Sequence, residues 1–129
     1  MDNVTKWTTA LRSGEYTQTT GRLQQHSTGG YCCLGVLCDI YSKEHSDSGW
    51  KGETSADSVV FYDDLNNTQD FRVRNVAMPS FGVLGWAGFE PNDEFINNLA
   101  IKNDKGASFD EIATMIEDHI KEKDKSSAE

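Results

Sequence analysis

The sequence has no long apolar run, few prolines and few cysteines, and each shortage excludes a class of protein. Spanning a bilayer as a helix takes roughly 18 or more apolar residues in a row, and no such run exists, so no transmembrane helix is predicted. The first residues, MDNVTKWTT, contain no apolar core region. This predicts the absence of a secretory signal and favours a cytoplasmic location.

Only three cysteines are present, Cys32, Cys33 and Cys38, and all fall in one apolar segment. An odd number in such a segment favours reduced, buried thiols over a disulfide framework. No CxxC pair occurs, and structural zinc needs a complete tetrahedral ligand set, so no metal site is predicted. A reactive thiol stays open as a second hypothesis, because a cysteine at a helix start has a lowered pKa.

Basic residues are also scarce, since 12 lysines and arginines face 21 acids and the net charge is −9. Bulk DNA or RNA is therefore not an expected partner. The excess of acid lies after residue 45, whereas residues 1–45 carry acids and bases in equal number. A small anion would meet less repulsion in this N-terminal part.

The chain is organised around residues 21–42, which read GRLQQHSTGGYCCLGVLCDIYS. A short strand is predicted over 21–25, followed by a glycine turn and a helix over 31–42. Apolar residues occupy nearly every face of this helix, which indicates that it is buried. Gly35 inside it costs about 1 kcal/mol relative to alanine, unless another backbone packs closely there.

The turn formed by Thr28, Gly29 and Gly30 has two interpretations. A glycine-rich turn that leads into a helix offers free N–H groups and the positive end of the helix dipole to an anion. Thr28 would then cap the helix and contact a bound phosphate. Alternatively, the two glycines only make a hairpin-like turn.

Short elements are predicted on both sides of the central stretch, from alternation for strands and from apolar spacing for helices. Ser108 and Glu111 form a capping box that starts the last helix. Phe71 and Phe81 are expected to face the core. The elements are a helix over 3–13, strands over 58–63 and 71–78, and helices over 80–88, 94–101 and 108–122.

Together these elements predict an α+β fold with a small antiparallel sheet from residues 16–25, 58–63 and 71–78. The buried 31–42 helix and the amphipathic 108–122 helix are expected to pack on it. Residues 43–57 are predicted to be an exposed loop, in which Trp50 either pins the loop or lines a site. One globular domain is expected over 1–123, with a flexible tail over 124–129.

Several motifs at both ends resemble a group of small, uncharacterised bacteriophage and bacterial proteins. The shared motifs are ALRSG at 10–14, Tyr16 and Gln18, Gly21 and Leu23, YCCLGVLCD at 31–39, Leu99, Asn103, Asp104, Gly106 and the SFxEIAxxIE run at 108–117. Lys102 stands where the group commonly has leucine. The resemblance implies a phage accessory role, such as countering host defence, and it assigns no catalytic residue.

The first functional hypothesis is an anti-defence protein that sequesters a nucleotide-derived signal, of the cyclic nucleotide or cyclic ADP-ribose type. Such a ligand needs donors for phosphate, an aromatic platform for the base and partners for ribose. The candidates are Arg12, Arg22, Thr28, Gly29 and Gly30 for phosphate, Tyr31, Trp50 and Trp86 for stacking, and Asn103 and Asp104 for ribose. For Asn103 and Asp104, a turn-and-cap role is the alternative.

Two other hypotheses belong to different classes. An acidic protein-binding inhibitor of a host defence enzyme would use the excess negative charge. A small hydrolase of a nucleotide signal would use Cys32 or Cys33 as nucleophile with His26 as base, although no oriented third member is evident. No cofactor is implied by any of the three. A ligand site at a subunit interface would make a homodimer natural.

Overall fold

Helices supply most of the core. The computed structural model describes residues 2–127, with side chains for residues 2–123. The helices are α1 (Asn3–Arg12), α2 (Cys33–Glu44), α3 (Phe81–Trp86), α4 (Glu94–Asp104) and α5 (Phe109–Ser127). Within this described part of the chain, none of the helices has an apolar stretch long enough to cross a membrane.

Four short strands make one antiparallel sheet: β1 (Gln24–Gln25), β2 (Gly49–Glu53), β3 (Ser58–Tyr62) and β4 (Arg74–Asn75). β3 pairs with β2 along one edge and with both β1 and β4 along the other. The register sets Phe61 opposite Trp50 on one side and opposite Asn75 on the other. The predicted α+β fold with a small antiparallel sheet is confirmed.

Helix α2 lies at the centre of the core, and its residues 33–38 are all buried. The indole Nε1–H of Trp7 in α1 donates to the Cys33 carbonyl at 2.9 Å. The backbone of Leu23 crosses the helix at Gly35, where a Cβ would lie 1.8 Å from the Leu23 carbonyl oxygen. A closely packed backbone is therefore the reason for the glycine inside this helix.

Helix α5 starts with the predicted capping box. The Glu111 N–H donates to Ser108 Oγ at 3.1 Å, and the Ser108 N–H donates to Glu111 Oε1 at 3.2 Å. Ile112, Ala113 and Ile116 of its apolar stripe are fully buried, and Ile120 is half-buried. The helix continues to Ser127, and residues 128–129 lie outside the described part. The flexible tail over 124–129 stays a prediction.

The predicted strand over 71–78 is mostly wrong. The chain forms a 3₁₀ turn at Phe71–Val73 before the two residues of β4. The cause is Asp70, whose carboxylate accepts a hydrogen bond from the Arg72 N–H at 3.0 Å. A local bond of this kind offers the backbone an alternative to strand pairing.

The expected loop over 43–57 also differs, because it contains the end of α2 and the whole of β2. Trp50 lies in β2, where its ring packs against the buried core. In the predicted strand over 16–25, only β1 is regular, although Gln18 forms an isolated bridge with Tyr31. Helix α4 extends beyond the predicted end at residue 101, which places Asn103 on a helix.

Candidate functional site

The Thr28–Gly30 turn is closed by its own hydrogen bonds. The Gln25 N–H donates to the Gly30 carbonyl at 2.8 Å, and the Gly29 N–H donates back to the Gln25 carbonyl at 2.9 Å. The remaining N–H, that of Gly30, donates to Thr28 Oγ1 at 3.1 Å. Both glycine donors that an anion would use are thus engaged inside the turn, as in the hairpin-like interpretation.

The turn is also separate from the start of α2, so Thr28 does not cap this helix. The cap is Cys32, whose Sγ accepts from the Gly35 N–H at 3.4 Å. The Cys33 N–H donates to Asn103 Oδ1 at 3.1 Å. Since Cys32, Cys33 and Asn103 are buried, the first turn of α2 is sealed by the protein itself.

Asn103 and Asp104 hold the polar segment 17–21 against α4. Asn103 Oδ1 also accepts from Gln18 Nε2 at 2.9 Å, while its Nδ2 donates to the Thr19 carbonyl at 2.8 Å. Asp104 Oδ1 accepts from the Gly21 N–H at 2.8 Å. Both residues therefore have structural contacts, but not the expected turn-and-cap role, because they lie within α4 and bond residues 17–21 and the start of α2.

Tyr31 and Trp50 come together, with Tyr16 beside them. Their ring centroids are 5.6 Å apart, and those of Tyr16 and Tyr31 are 5.1 Å apart, both in edge-to-face contacts. Asp39 accepts from the Tyr16 hydroxyl at 2.6 Å and from the Trp50 indole at 3.1 Å. Lys43 Nζ lies 5.8 Å from the Tyr16 centroid. The rings contact one another, so they form a packed cluster.

The other predicted ligand residues lie in different surroundings. Arg12 donates to Glu117 Oε1 of α5 at 2.8 Å. Trp86 packs edge-to-face on Tyr41, with centroids 5.4 Å apart. Arg22 is half-buried, and its Nε has no hydrogen-bond partner among the described residues. The structure therefore pairs Tyr31 with Trp50 and gives Arg12 and Trp86 separate partners.

His26 and the buried thiols contact different residues. His26 Nε2 lies 3.5 Å from Glu53 Oε2. Burial raises the pKa of Cys32 to about 11 and raises the pKa values of Cys33 and Cys38 well above the usual range. Within the described residues, no histidine, cysteine and carboxylate cluster has the grouping that a metal ion needs.

A different surface has the properties of a binding site. A groove of about 620 Å³ lies between the 3₁₀ turn with β4 and the start of α3. Three apolar side chains on it are left to solvent: Phe71 is 82% exposed, Phe81 is 61% exposed and Met78 is 37% exposed. The expectation that Phe71 and Phe81 face the core is wrong. The groove is lined by residues 70–74 and 78–82.

The two exposed phenylalanines occupy the same kind of position, at the start of a helical element. Asp70 and Ser80 are N-caps, of the 3₁₀ turn and of α3, and each phenylalanine is the next residue in the chain. A cap alone does not set this direction, because Phe109 also follows a cap, Ser108, and is buried. Residue order near the cap therefore does not distinguish the exposed rings from the buried one.

A buried polar network fixes the groove's inner wall. Asn75 is buried, and its Nδ2 donates to the Phe61 carbonyl at 3.1 Å and to Asp63 Oδ1 at 2.9 Å. Its Oδ1 accepts from the Ser80 N–H, while the Ser80 hydroxyl donates to Asp63. Because β4 and the α3 cap share these bonds, the two walls keep a fixed separation.

Among the described residues, the groove presents one unpaired arginine on an acidic protein. Its charged lining residues are Asp70, Arg72 and Arg74. Asp70 accepts from Arg72 Nε at 3.0 Å and from Nη2 at 2.8 Å, and these bonds lower the pKa of Asp70 to about 2. No described carboxylate pairs with the exposed Arg74. Among the lining residues, Arg74 is therefore the one whose charge is not compensated by an ion pair.

Comparisons with known proteins place the chain in a family. A family model described as "Domain of unknown function (DUF8296)" matches residues 2–120. No curated protein and no solved structure matches the chain. Because the matched range covers nearly the whole sequence, the protein belongs to the family described as Domain of unknown function (DUF8296).

Proposed function

We propose that this protein binds and sequesters a small nucleotide-derived molecule in the groove lined by residues 70–74 and 78–82. The observation that carries the proposal is the pairing of exposed Phe71 and Phe81 with unpaired Arg74 on one concave surface. Large apolar side chains left in solvent on a soluble protein mark an interaction site. The volume of about 620 Å³ lies in the range of small-molecule sites.

The chemistry of the groove suits a planar ring attached to an anionic group. A base has a π-face that can stack on Phe71 or Phe81 and an exposed edge that tolerates water. The guanidinium of Arg74 can donate two hydrogen bonds to phosphate oxygens. Because Arg74 has no ion-pair partner among the described residues, no ion pair has to break when it binds a phosphate. An apolar ligand would use the rings alone and would leave Arg74 without a function.

Binding without conversion fits the residues in the groove. Ser80 supplies the only side-chain hydroxyl among the lining residues, and it both donates to Asp63 and accepts from the Val83 N–H at 3.2 Å. The thiols are buried elsewhere. A phage accessory role in the bacterial cytoplasm, with a host immune signal as ligand, is the biological setting that we propose for such a sequestering protein.

The direct test is recovery of ligand. Purified protein is incubated with a panel of cyclic nucleotides and cyclic ADP-ribose isomers and then filtered. The filtrate and the material released by heating are analysed by mass spectrometry. Retention followed by release of intact compound supports sequestration, whereas release of an altered compound would mean that the protein is an enzyme.

Matched variants locate the site. Phe71→Ser and Arg74→Ser should each reduce retention at least about tenfold, since hot-spot side chains cost more than about 1.4 kcal/mol when removed. Ile101→Ser is the control, because Ile101 is 49% exposed on α4 and does not line the groove. If no compound is retained, the proposal fails for these signals, and the acidic protein-binding inhibitor becomes the preferred hypothesis.

A further inference from the structure

The polar side of the groove depends on one carboxylate. Asp70 accepts from the Arg72 backbone N–H at 3.0 Å and binds Nε and Nη2 of the same residue. The guanidinium thus presents its best-aligned donors to Asp70, and the pair is electrically neutral. Arg74 is left as the free cation, and the Asp63 carboxylate lies behind Ser80, so the groove can neutralise at most one negative charge.

We propose that Asp70 is a specificity-determining residue that restricts the groove to ligands with a single negative charge, such as the phosphodiester of a cyclic nucleotide. This inference rests on the proposed function and names the ligand class for the same groove. A phosphomonoester with about two negative charges near pH 7.5 would place its second charge beside the Asp70 carboxylate. The net charge of −9 adds to that repulsion.

Arg72 does not easily offset the second charge. Its Nη1 can still donate to a ligand, but Nε and Nη2 bind Asp70, so its positive charge is already compensated, and leaving Asp70 would expose an uncompensated carboxylate. Specificity of this kind arises from a repulsive group as much as from an attractive one. Asp70 would therefore act against doubly charged ligands even when it makes no contact with the favoured one.

The experiment compares two ligands that share a base and differ by one charge. Equilibrium dialysis at pH 7.5 measures the affinities of 3′,5′-cyclic AMP and 5′-AMP for the full chain. The natural protein should prefer the cyclic compound by at least about threefold, which is the scale of one exposed charge–charge interaction. Asp70→Asn should abolish or reverse this preference, and Arg72→Gln should widen it.

Asp64→Asn is the matched control. Asp64 also caps a 3₁₀ turn, Leu65–Asn67, by accepting from the Asn66 N–H at 2.9 Å, and it lies outside the groove. The control makes the same change in net charge, and asparagine preserves the cap in both variants. Asp64→Asn should leave the preference as it is in the natural protein, and melting curves confirm that the variants are folded.

The outcomes separate the two proposals. Equal affinity for both ligands, or a preference for 5′-AMP, would overturn the role of Asp70 while leaving nucleotide binding intact. A preference that survives in Asp70→Asn, or that is lost equally in Asp64→Asn, would also overturn it. If neither compound binds at millimolar concentration, the proposed function for adenine nucleotides and this inference fail together.

Discussion

The starts of α2 and α3 place similar chain features in opposite surroundings. In α2 the cap Cys32 and the first helical residue Cys33 are buried, and Asn103 from α4 satisfies the Cys33 N–H. In α3 the cap Ser80 is bonded to Asn75 of β4, but the first helical residue, Phe81, is exposed. The side chains of the first region stabilise the fold, whereas the second region leaves apolar area and a charge exposed to solvent.

The largest loss of stability is expected from adding a side chain at Gly35, where α2 and the backbone of Leu23 lie close together. Gly35→Ala would put a Cβ 1.8 Å from the Leu23 carbonyl oxygen. The obstacle is backbone in the middle of the core, so it cannot move aside without loss of packing. We expect a loss of at least about 3 kcal/mol in the free energy of unfolding, measured by urea denaturation.

Gly85→Ala is the matched control in the second region. Gly85 lies within α3, and a Cβ there meets nothing within 4 Å. Alanine in an open helical position should stabilise the protein by up to about 1 kcal/mol. If Gly35→Ala and Gly85→Ala changed the free energy of unfolding equally, the proposed difference in packing between α2 and α3 would be wrong.

A second large effect is expected at Asn103. Asn103→Leu removes an acceptor from the Cys33 N–H and from Gln18 Nε2, and a donor from the Thr19 carbonyl. Each buried group left without a partner costs about 1–3 kcal/mol, so a loss of about 3 kcal/mol is expected. Amide exchange at Cys33 should also accelerate.

Asn98→Leu tests whether this loss belongs to the buried network. Asn98 lies on the same helix but is exposed, so its replacement should change stability by less than about 0.5 kcal/mol. If Asn103→Leu were as mild as Asn98→Leu, the polar contacts between α4 and residues 17–21 would not stabilise the fold.

Much of the buried core around α2 and α5 could be predicted from the sequence, because the signals for these helices are local. The apolar run predicts α2, the glycine within it predicts a close approach, and SFDE predicts the start of α5. The partners of Asn103 could not be predicted, since they lie 70 to 85 residues away in the chain. Such pairing depends on the tertiary fold.

The sequence does not predict the groove, and the reason is a competition between two local signals. Alternation in FRVR matches a strand with Phe71 inward, and that local pattern competes with a turn that Asp70 caps. Both are local signals, and the sequence gives no measure of which is stronger. Residue type identifies side chains with suitable ligand chemistry, but it does not show whether their polar atoms are already bonded to the chain.

The two regions should also respond to opposite extremes of pH. Burial raises the pKa of Cys32 to about 11, and those of Cys33 and Cys38 also rise, so the native state holds these protons more tightly than the unfolded state. Their stabilising contribution is complete below the unfolded thiol pKa of about 8.5 and is lost as pH rises. Raising the pH from about 7.5 to about 9 should lower the free energy of unfolding by about 1 kcal/mol for each thiol.

Cys38→Ala provides the measurement. Its stability at pH 7.5 should fall because the core loses volume, but its stability should decline less steeply with rising pH than that of the natural protein. An unchanged slope would contradict the buried-thiol assignment. In the groove the sign is reversed, since Asp70 has its pKa lowered to about 2 and its pairing is lost only as acid is added.

The smallest effect on stability is expected at the most exposed phenylalanine. Phe71→Ser should change the free energy of unfolding by less than about 0.5 kcal/mol, because an 82% exposed ring buries little area to lose. Phe61→Ala, at a fully buried position in β3, should cost about 3–5 kcal/mol in the free energy of unfolding. Urea denaturation of both variants makes the contrast quantitative. A large loss in Phe71→Ser would mean that the fold needs this ring, and Phe71 could then no longer be interpreted as a side chain kept for a ligand.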